Sequence, residues 1–353
     1  MNLPTFYQDA VMRTGLVQLT NGRRVTSLIL PLLFLCLAAD TEAKAQNFWQ
    51  QSNGPNGGLI ESLAINSSGH IFVARRIFGY NTIRGGVFRS TDEGTSWIQT
   101  GLTDTVVVGS LAINSNGHIF AGTGDGIFRS TDNGASWTQD TTGLTNTSVN
   151  DFAINNSNGY IFAGTSRGIF RSTNNGTSWT RVGLTDTIVV RSLAINSNGH
   201  IFAATNDEGI IRSTNNGITW MKVTNDLRIL LALVNALAIN SNGDIFAGTG
   251  DLLGLTGGGV FRSTDNGTSW TQTGLMNSWV NALAINSNGD VFAGTGFFTG
   301  FFDPTGGGVF RSTDNGTSWM QTGLKTSVND LAINNSNGYI FCGDFLFRYL
   351  PLN

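Results

Sequence analysis

Charge is scarce in this chain. Asp, Glu, Lys and Arg together supply 12% of 353 residues, about half the usual share for a soluble domain. The balance of 20 Lys and Arg against 23 Asp and Glu gives a net charge of −3. That balance argues against a nucleic-acid partner, because no cationic excess is available to displace counterions from phosphates. Proline occurs 5 times and cysteine twice, at Cys36 and Cys342, which leaves no disulfide framework. The longest apolar run, residues 28–39, covers roughly 18 Å as a helix, too short for a bilayer core of about 30 Å. What is abundant points one way. Hydrophobic residues reach 40%, with 46 Gly and 23 Phe, the composition of many short strands joined by tight turns rather than of a disordered or collagenous chain.

The apolar run reads as part of an export signal. Arg23 and Arg24 precede it and Ala43-Lys44-Ala45 follows, giving a charged region, an apolar region and a small-residue cleavage site. Residues 1–45 are therefore expected to be removed, with Met1 or Met12 as the start, leaving 46–353 as the folded protein. The mature chain keeps 16 Lys and Arg against 20 Asp and Glu, a net charge of −4, and Cys342 as its one cysteine. Export without disulfides suggests a bacterial protein of the periplasm, cell envelope or extracellular space, stabilised by its core and monomeric.

One unit fills the remainder. Leu63-Ala64-Ile65-Asn66 recurs from 111, 152 (with Phe), 193, 237, 283 and 331, and each copy leads into a Gly-containing turn and an Ile/Val-Phe pair. A second apolar segment follows, as in Gly126-Ile127-Phe128-Arg129-Ser130, then an Asn-Gly turn and a Trp-led segment such as Trp137-Thr138-Gln139. Asn-Gly between β-rich runs signals a hairpin with positive φ at both central residues. Four strands at a spacing of 40–50 residues read as propeller blades. The predicted fold is all-β: a single seven-bladed β-propeller of four-stranded antiparallel blades. The seventh unit ends without a Trp-led strand. Trp49 stands 14 residues before Leu63, as Trp97 stands 14 before Leu111, so the N-terminal strand is expected to complete the last blade.

Six segments of the form Ser-Thr-Asp/Asn-x-Gly-x-Ser/Thr-Trp stand at 90–97, 130–137, 172–179, 213–220, 263–270 and 312–319. They resemble the Asp-box, or BNR, repeat of sialidases, xyloglucanases, sortilin-type receptors and photosystem II assembly-factor-like proteins. The resemblance covers essentially all of residues 46–353. From the residues themselves, Asp92, Asp132, Asp265 and Asp314, with Asn174 and Asn215 in the same slot, are expected to accept hydrogen bonds from turn amides. Trp97, Trp137, Trp179, Trp220, Trp270 and Trp319 are expected to pack against the blades. One carboxylate per box is too few for a calcium loop, so no metal and no cofactor is expected.

Catalysis finds little support. The resemblance to sialidases implies an Arg cluster, a Tyr–Glu pair and an Asp, but Arg89, Arg129, Arg171, Arg212, Arg262, Arg311 and Arg348 are assigned one repeat slot. An active site must break the symmetry of the ring. Tyr80 and Glu208 are the candidates for a Tyr–Glu pair. Asp125, Asp207, Asp251 and Asp303 are carboxylates for a xyloglucanase-like site, which needs two of them about 5–10 Å apart. His70, His118 and His200 share one turn position and read as exposed, and Cys342 fills an Ala slot.

Symmetry breaks in three long connections between second and third strands, residues 74–86, 248–259 and 294–308, in blades 1, 5 and 6. They are expected on the face opposite the boxes. Arg75, Arg76, Tyr80, Arg84, Leu252, Leu253, Phe297, Phe298, Phe301 and Phe302 are the candidate ligand-binding residues, with the 227–234 run and Trp279 nearby. The sequence therefore predicts a secreted, non-catalytic propeller that binds a protein or glycan there. The alternative is a glycoside hydrolase, sialidase-like or xyloglucanase-like, acting at the central channel.

Overall fold

The computed structural model describes residues 49–52, 54–55, 58–78, 83–103, 106–140, 142–144, 147–223, 232–251, 258–296, 307–343 and 348–350. The leader expected over 1–45 lies outside them. The ring belongs to the unit Ala45–Asn353.

Within each repeat, alternating Leu/Ile/Phe and small residues give strands that bury both faces against neighbouring blades. The described residues form four-stranded antiparallel sheets, seven in number, with no helix. Their innermost strands are Leu59–Ile65, Val108–Ile113, Val149–Asn155, Val190–Ile195, Ala232–Ile239, Val280–Ile285 and Asp330–Asn334. Each packs beside the next, and the last returns to the first, so the sheets close around an axis. Phe72, Phe120, Phe162, Phe202, Phe246, Phe292 and Phe341, one from each second strand, are fully buried between blades.

The expectation of a seven-bladed propeller needs correction. Six blades, not seven, are built from four consecutive strands; the remaining sheet is composite. It joins Gln50–Gln51 to Arg348–Leu350, Tyr339–Gly343 and Asp330–Asn334, with Gln50 opposite Tyr349. Its outer strand comes from residues 50–51, ahead of blade 1, and its other three from residues 330–350. Trp49, immediately before the joining strand, is buried against Leu324 and Val309 of blade 6 and donates its Nε1–H to Thr322 Oγ1 at 2.9 Å. Trp137 and Trp319 make the same bond to Thr100 and Thr273 of their preceding blades.

Register corrects a second reading. Arg89 lies opposite Phe72, but Tyr349, not Arg348, lies opposite Phe341. Arg348 faces Cys342 and so falls in the slot of Phe88 and Phe128, one residue away from the repeated Arg. Cys342 is buried with no exposed surface, in the Ala slot as expected.

Turn chemistry also differs from the expectation. The Asn-Gly signal at the inner hairpins does not produce positive φ at both residues: Gly117 has φ 78°, while Asn116 is not in the left-handed region. There Asn114 Oδ1 accepts from the amides of Asn116 and His118 and holds the turn. The paired positive φ occurs instead in the boxes, for example at Asn133 (φ 55°) and Gly134 (φ 85°), as a type I′ turn requires.

Candidate functional site

The two ends of the strands give the ring two faces with different chemistry. On one, each box is closed by its own side chains. Ser130 Oγ accepts the Gly134 amide at 2.8 Å, while Asp132 accepts from the Ser136 amide at 2.9 Å and the Ser136 hydroxyl at 2.5 Å. The hydroxyl bond from Ser136 and the amide bond beside it hold the Asp132 carboxyl down to about 2. Asn174 and Asn215 accept the equivalent amide bonds. The residue after the Asp or Asn reaches out of its blade. Asn133 accepts from Asn66, Asn175 from Asn114, Asn216 from Asn158, Asn266 from Asn196 and Asn315 from Asn240. Glu93 closes the circle by accepting from Asn337 of the composite blade at 2.8 Å. The box glycine adds shape: a Cβ on Gly176 would stand 2.4 Å from the Phe120 ring of the preceding blade.

The repeated Arg belongs to the same network. Arg89, Arg171 and Arg212 donate to the backbone carbonyls of Asn133, Asn216 and Asn266 at 2.8–2.9 Å. Arg262 and Arg311 pair instead with Asp244 and Asp290, at 2.7 and 2.6 Å. His70, His118 and His200 occupy the slot of those aspartates and are half-buried, not exposed as expected. Burial, then the charge of Arg129, lowers the pKa of His118. Contacts between blades tie this face together.

The other face carries the breaks in symmetry. In blades 1 to 6 a bulge puts one residue of the innermost strand out of register. The bulge residues are Glu61, Gly109, Asn150, Arg191, Asn235 and Asn281, and Asn329 holds the corresponding position just before the innermost strand of the composite blade. The four Asn each donate to a carbonyl of the following blade at 2.8–3.1 Å. Glu61 pairs with Arg76 at 3.1 Å, and burial raises its pKa despite that charge. Arg191 reaches Asn206, and burial lowers its pKa.

The next position holds two carboxylates that sequence reasoning missed. Asp151 accepts from the amides of Phe152 and Leu193, and Asp330 from those of Leu331 and Leu63, all at 2.7–2.8 Å. Each carboxylate thereby clamps two blades. Burial pushes Asp151 up to about 6 and Asp330 up to about 7, and the charge of Asp151 contributes to the latter. Their signal was present in the repeats, since Ser62, Ser110, Ser192, Ala236 and Ala282 fill the same slot elsewhere. The carboxylates proposed from the sequence fare differently. Asp125 and Asp207 are exposed, Asp303 lies outside the described residues, and nothing is described of the Asp251 side chain.

Of the ligand-binding candidates, Arg75, Arg76 and Arg84 come together on blade 1. Tyr80, Leu252, Leu253, Phe297, Phe298, Phe301 and Phe302 lie outside the described residues. The blade 1 connection is not a loop through most of its length. Strands Ile71–Phe78 and Ile83–Ser90 continue the ladder through Arg75–Gly86, Arg76–Gly85, Ile77–Arg84 and Phe78–Ile83. In blade 2 the same strands turn at Thr123 and Gly126. Phe78 and Ile83 are 59% and 57% exposed, Arg76 lies 6.0 Å above the Phe78 ring, and Arg75 is buried 4.2 Å over Phe88. Trp279 is half-buried against Gly250 of blade 5. Among the described residues no group of three or more His, Cys, Asp or Glu is placed to hold a metal.

A closed ring of four-stranded sheets defines a β-propeller. A family model described as a DUF6242 beta propeller domain matches residues 144–289. No curated protein sequence matches this chain. Among solved structures, the chain is similar to the extracellular domain of a putative one-component system from B. thetaiotaomicron. That likeness has 17% identity and a TM-score of 0.64 over 86% of this chain and 40% of that one. It is also similar to a GH74 xyloglucanase from Xanthomonas campestris, with 14% identity and a TM-score of 0.65 over 84% of this chain and 52% of that one. A third likeness is to YCF48 bound to D1 peptide, with 17% identity and a TM-score of 0.64 over 87% and 97% of the two chains. The chain thus spans only two fifths to half the length of the first two proteins.

Proposed function

We propose that this protein is an exported, non-catalytic propeller of the Asp-box type that binds a protein or glycan on the face opposite the boxes. The observation that carries the reading is the blade 1 hairpin, which projects past the ring with Phe78 and Ile83 exposed beside Arg76 and Arg84. Apolar side chains next to Arg are the residue types that dominate binding hot spots. Three features support the reading further. On the box face the polar side chains of neighbouring blades bond to one another. One propeller of similar fold was solved with a peptide bound. Another is an extracellular domain, in keeping with the export signal.

The test is a glycan array and a panel of candidate protein ligands, probed with the mature chain and with a Phe78→Ser/Ile83→Ser variant. Binding that the variant loses at unchanged melting temperature supports the proposal; binding it retains overturns the assignment to blade 1.

A second reading, glycoside hydrolysis, is favoured by Asp151 and Asp330, two enclosed carboxylates with raised pKa values. Against it, both oxygens of each carboxylate already accept backbone amides. Turnover of fluorogenic glycosides that Asp151→Asn or Asp330→Asn abolishes would replace the binding reading with this one.

A further inference from the structure

From the reading that blade 1 carries the binding face, we infer the kind of partner: an extended peptide in which apolar and acidic residues alternate, added as a strand to the outer edge of the blade 1 hairpin at Ile83 and Arg84.

Three observations converge on that edge. The first is backbone. The outer strand of blade 1, Ile98–Gln99, pairs only with Phe88 and Arg89. The chain then bonds once more to each group of Val87, through Thr100 and Leu102. Val106 passes close to Gly85, but no backbone hydrogen bond reaches Ile83–Gly86 from that side among the described residues. In an antiparallel ladder successive residues point their N–H and C=O alternately inward and outward. One of Ile83 and Arg84 therefore presents both groups to whatever lies outside, a template for strand addition.

The second observation is the side-chain pattern. Cross-strand partners share a face, and faces alternate along a strand. Phe78 and Ile83 are partners, as are Arg76 and Gly85, so one face of the hairpin is apolar with Arg76 beneath it. Ile77 and Arg84 are partners on the other face. A strand laid beside Ile83 and Arg84 continues the pleat. Its residues fall alternately beside the exposed Ile83 and beside the Arg84 guanidinium.

Charge is the third. The Arg76 guanidinium already has Glu61 at 3.1 Å, and Arg75 is buried over Phe88. Arg84 is exposed and makes no ion pair or hydrogen bond among the described residues. A carboxylate on the second face of the incoming strand supplies the missing counter-charge. Glycans fit less well: Ile83 and Phe78 form a pleated apolar surface without the array of fixed polar groups that orients hydroxyls.

The experiment uses fluorescein-labelled synthetic peptides of alternating valine and glutamate, measured by fluorescence anisotropy against the mature chain. Controls replace glutamate with lysine, scramble the alternation at constant composition, or place proline at alternate positions to remove backbone donors. The expected order is glutamate first, with each control at least about tenfold weaker. Arg84→Glu, an exposed change that leaves the melting temperature unaltered, is expected to reverse the preference toward the lysine peptide. An unreversed preference, or equal binding by the scrambled or proline peptides, overturns strand addition by this class of peptide. If Phe78→Ser/Ile83→Ser abolishes binding of another ligand while no peptide binds, the inference fails and the broader reading of the face stands.

Discussion

At the residue scale, the box carboxylates act within their own turn and their neighbours act across it. Asp132 offers two acceptors to Ser136, and Asn174 and Asn215 fill the same slot with one amide oxygen. Asp132→Asn is therefore expected to melt within a degree or two of the unsubstituted protein. Asp132→Ala leaves the Ser136 amide without its partner and should cost about 1 kcal/mol in an exposed turn, read from denaturant unfolding. Calcium should alter neither result. Asn133 carries a different load. It combines a φ of 55° with the bond from Asn66 and the carbonyl contact of Arg89, so Asn133→Ala is expected to lose more than Asp132→Asn. Equal effects would show that the contact between blades contributes nothing.

At the element scale, the strand Gln50–Gln51 is only two residues long, yet it closes a sheet. Most of its contribution comes from Trp49. Trp49→Ala removes a buried indole and its bond to Thr322, and should cost about 3–5 kcal/mol; a thermal melt unchanged by the substitution would refute the closure. This joint was legible in the sequence, because Trp49 keeps the spacing of the repeat. The strand order was legible too, since each blade repeats the same apolar pattern. Less visible were features that depend on register. Arg348 looked equivalent to Arg311 by composition, but four residues of the last blade separate the paired strands in a way that only the ladder resolves. The 74–86 connection reads as a loop because it is longer than connections such as 122–126. In the folded protein Gly85 sits against the backbone of Val106 and Val107 and Gly86 against that of Leu102 and Thr103, and the strands run through them.

At the scale of the whole molecule, the ring holds two enclosed carboxylates, each clamping two blades. The Asp151 and Asp330 pKa values, about 6 and about 7, lie above the ordinary 3.8. The folded state thus holds protons that the unfolded chain releases. The stabilising share is complete below about pH 4 and is lost as pH rises through 6 and 7. His118, whose pKa is lowered, works in the opposite sense over part of that range, so the informative quantity is a difference. Between pH 5 and pH 8 the melting temperature of the unsubstituted protein should fall further than that of Asp151→Asn/Asp330→Asn. Parallel pH profiles would show that these carboxylates do not titrate there. The pair is hard to read from sequence because Asp151 and Asp330 sit in strands rather than connections, at a slot filled by Ser or Ala in the other blades. The composite sheet has one more consequence, for the order of events in time. Residue 50 meets residue 349 only once residue 349 has been made, so each of blades 1 to 6 can pair its own four strands during synthesis while the seam still lacks Arg348–Leu350. Closure is then the step of longest sequence separation, and slow relative to the formation of any blade. A chain halted before residue 348 would carry blades 1 to 6 complete, with Gln50–Gln51 lacking the strand it pairs with.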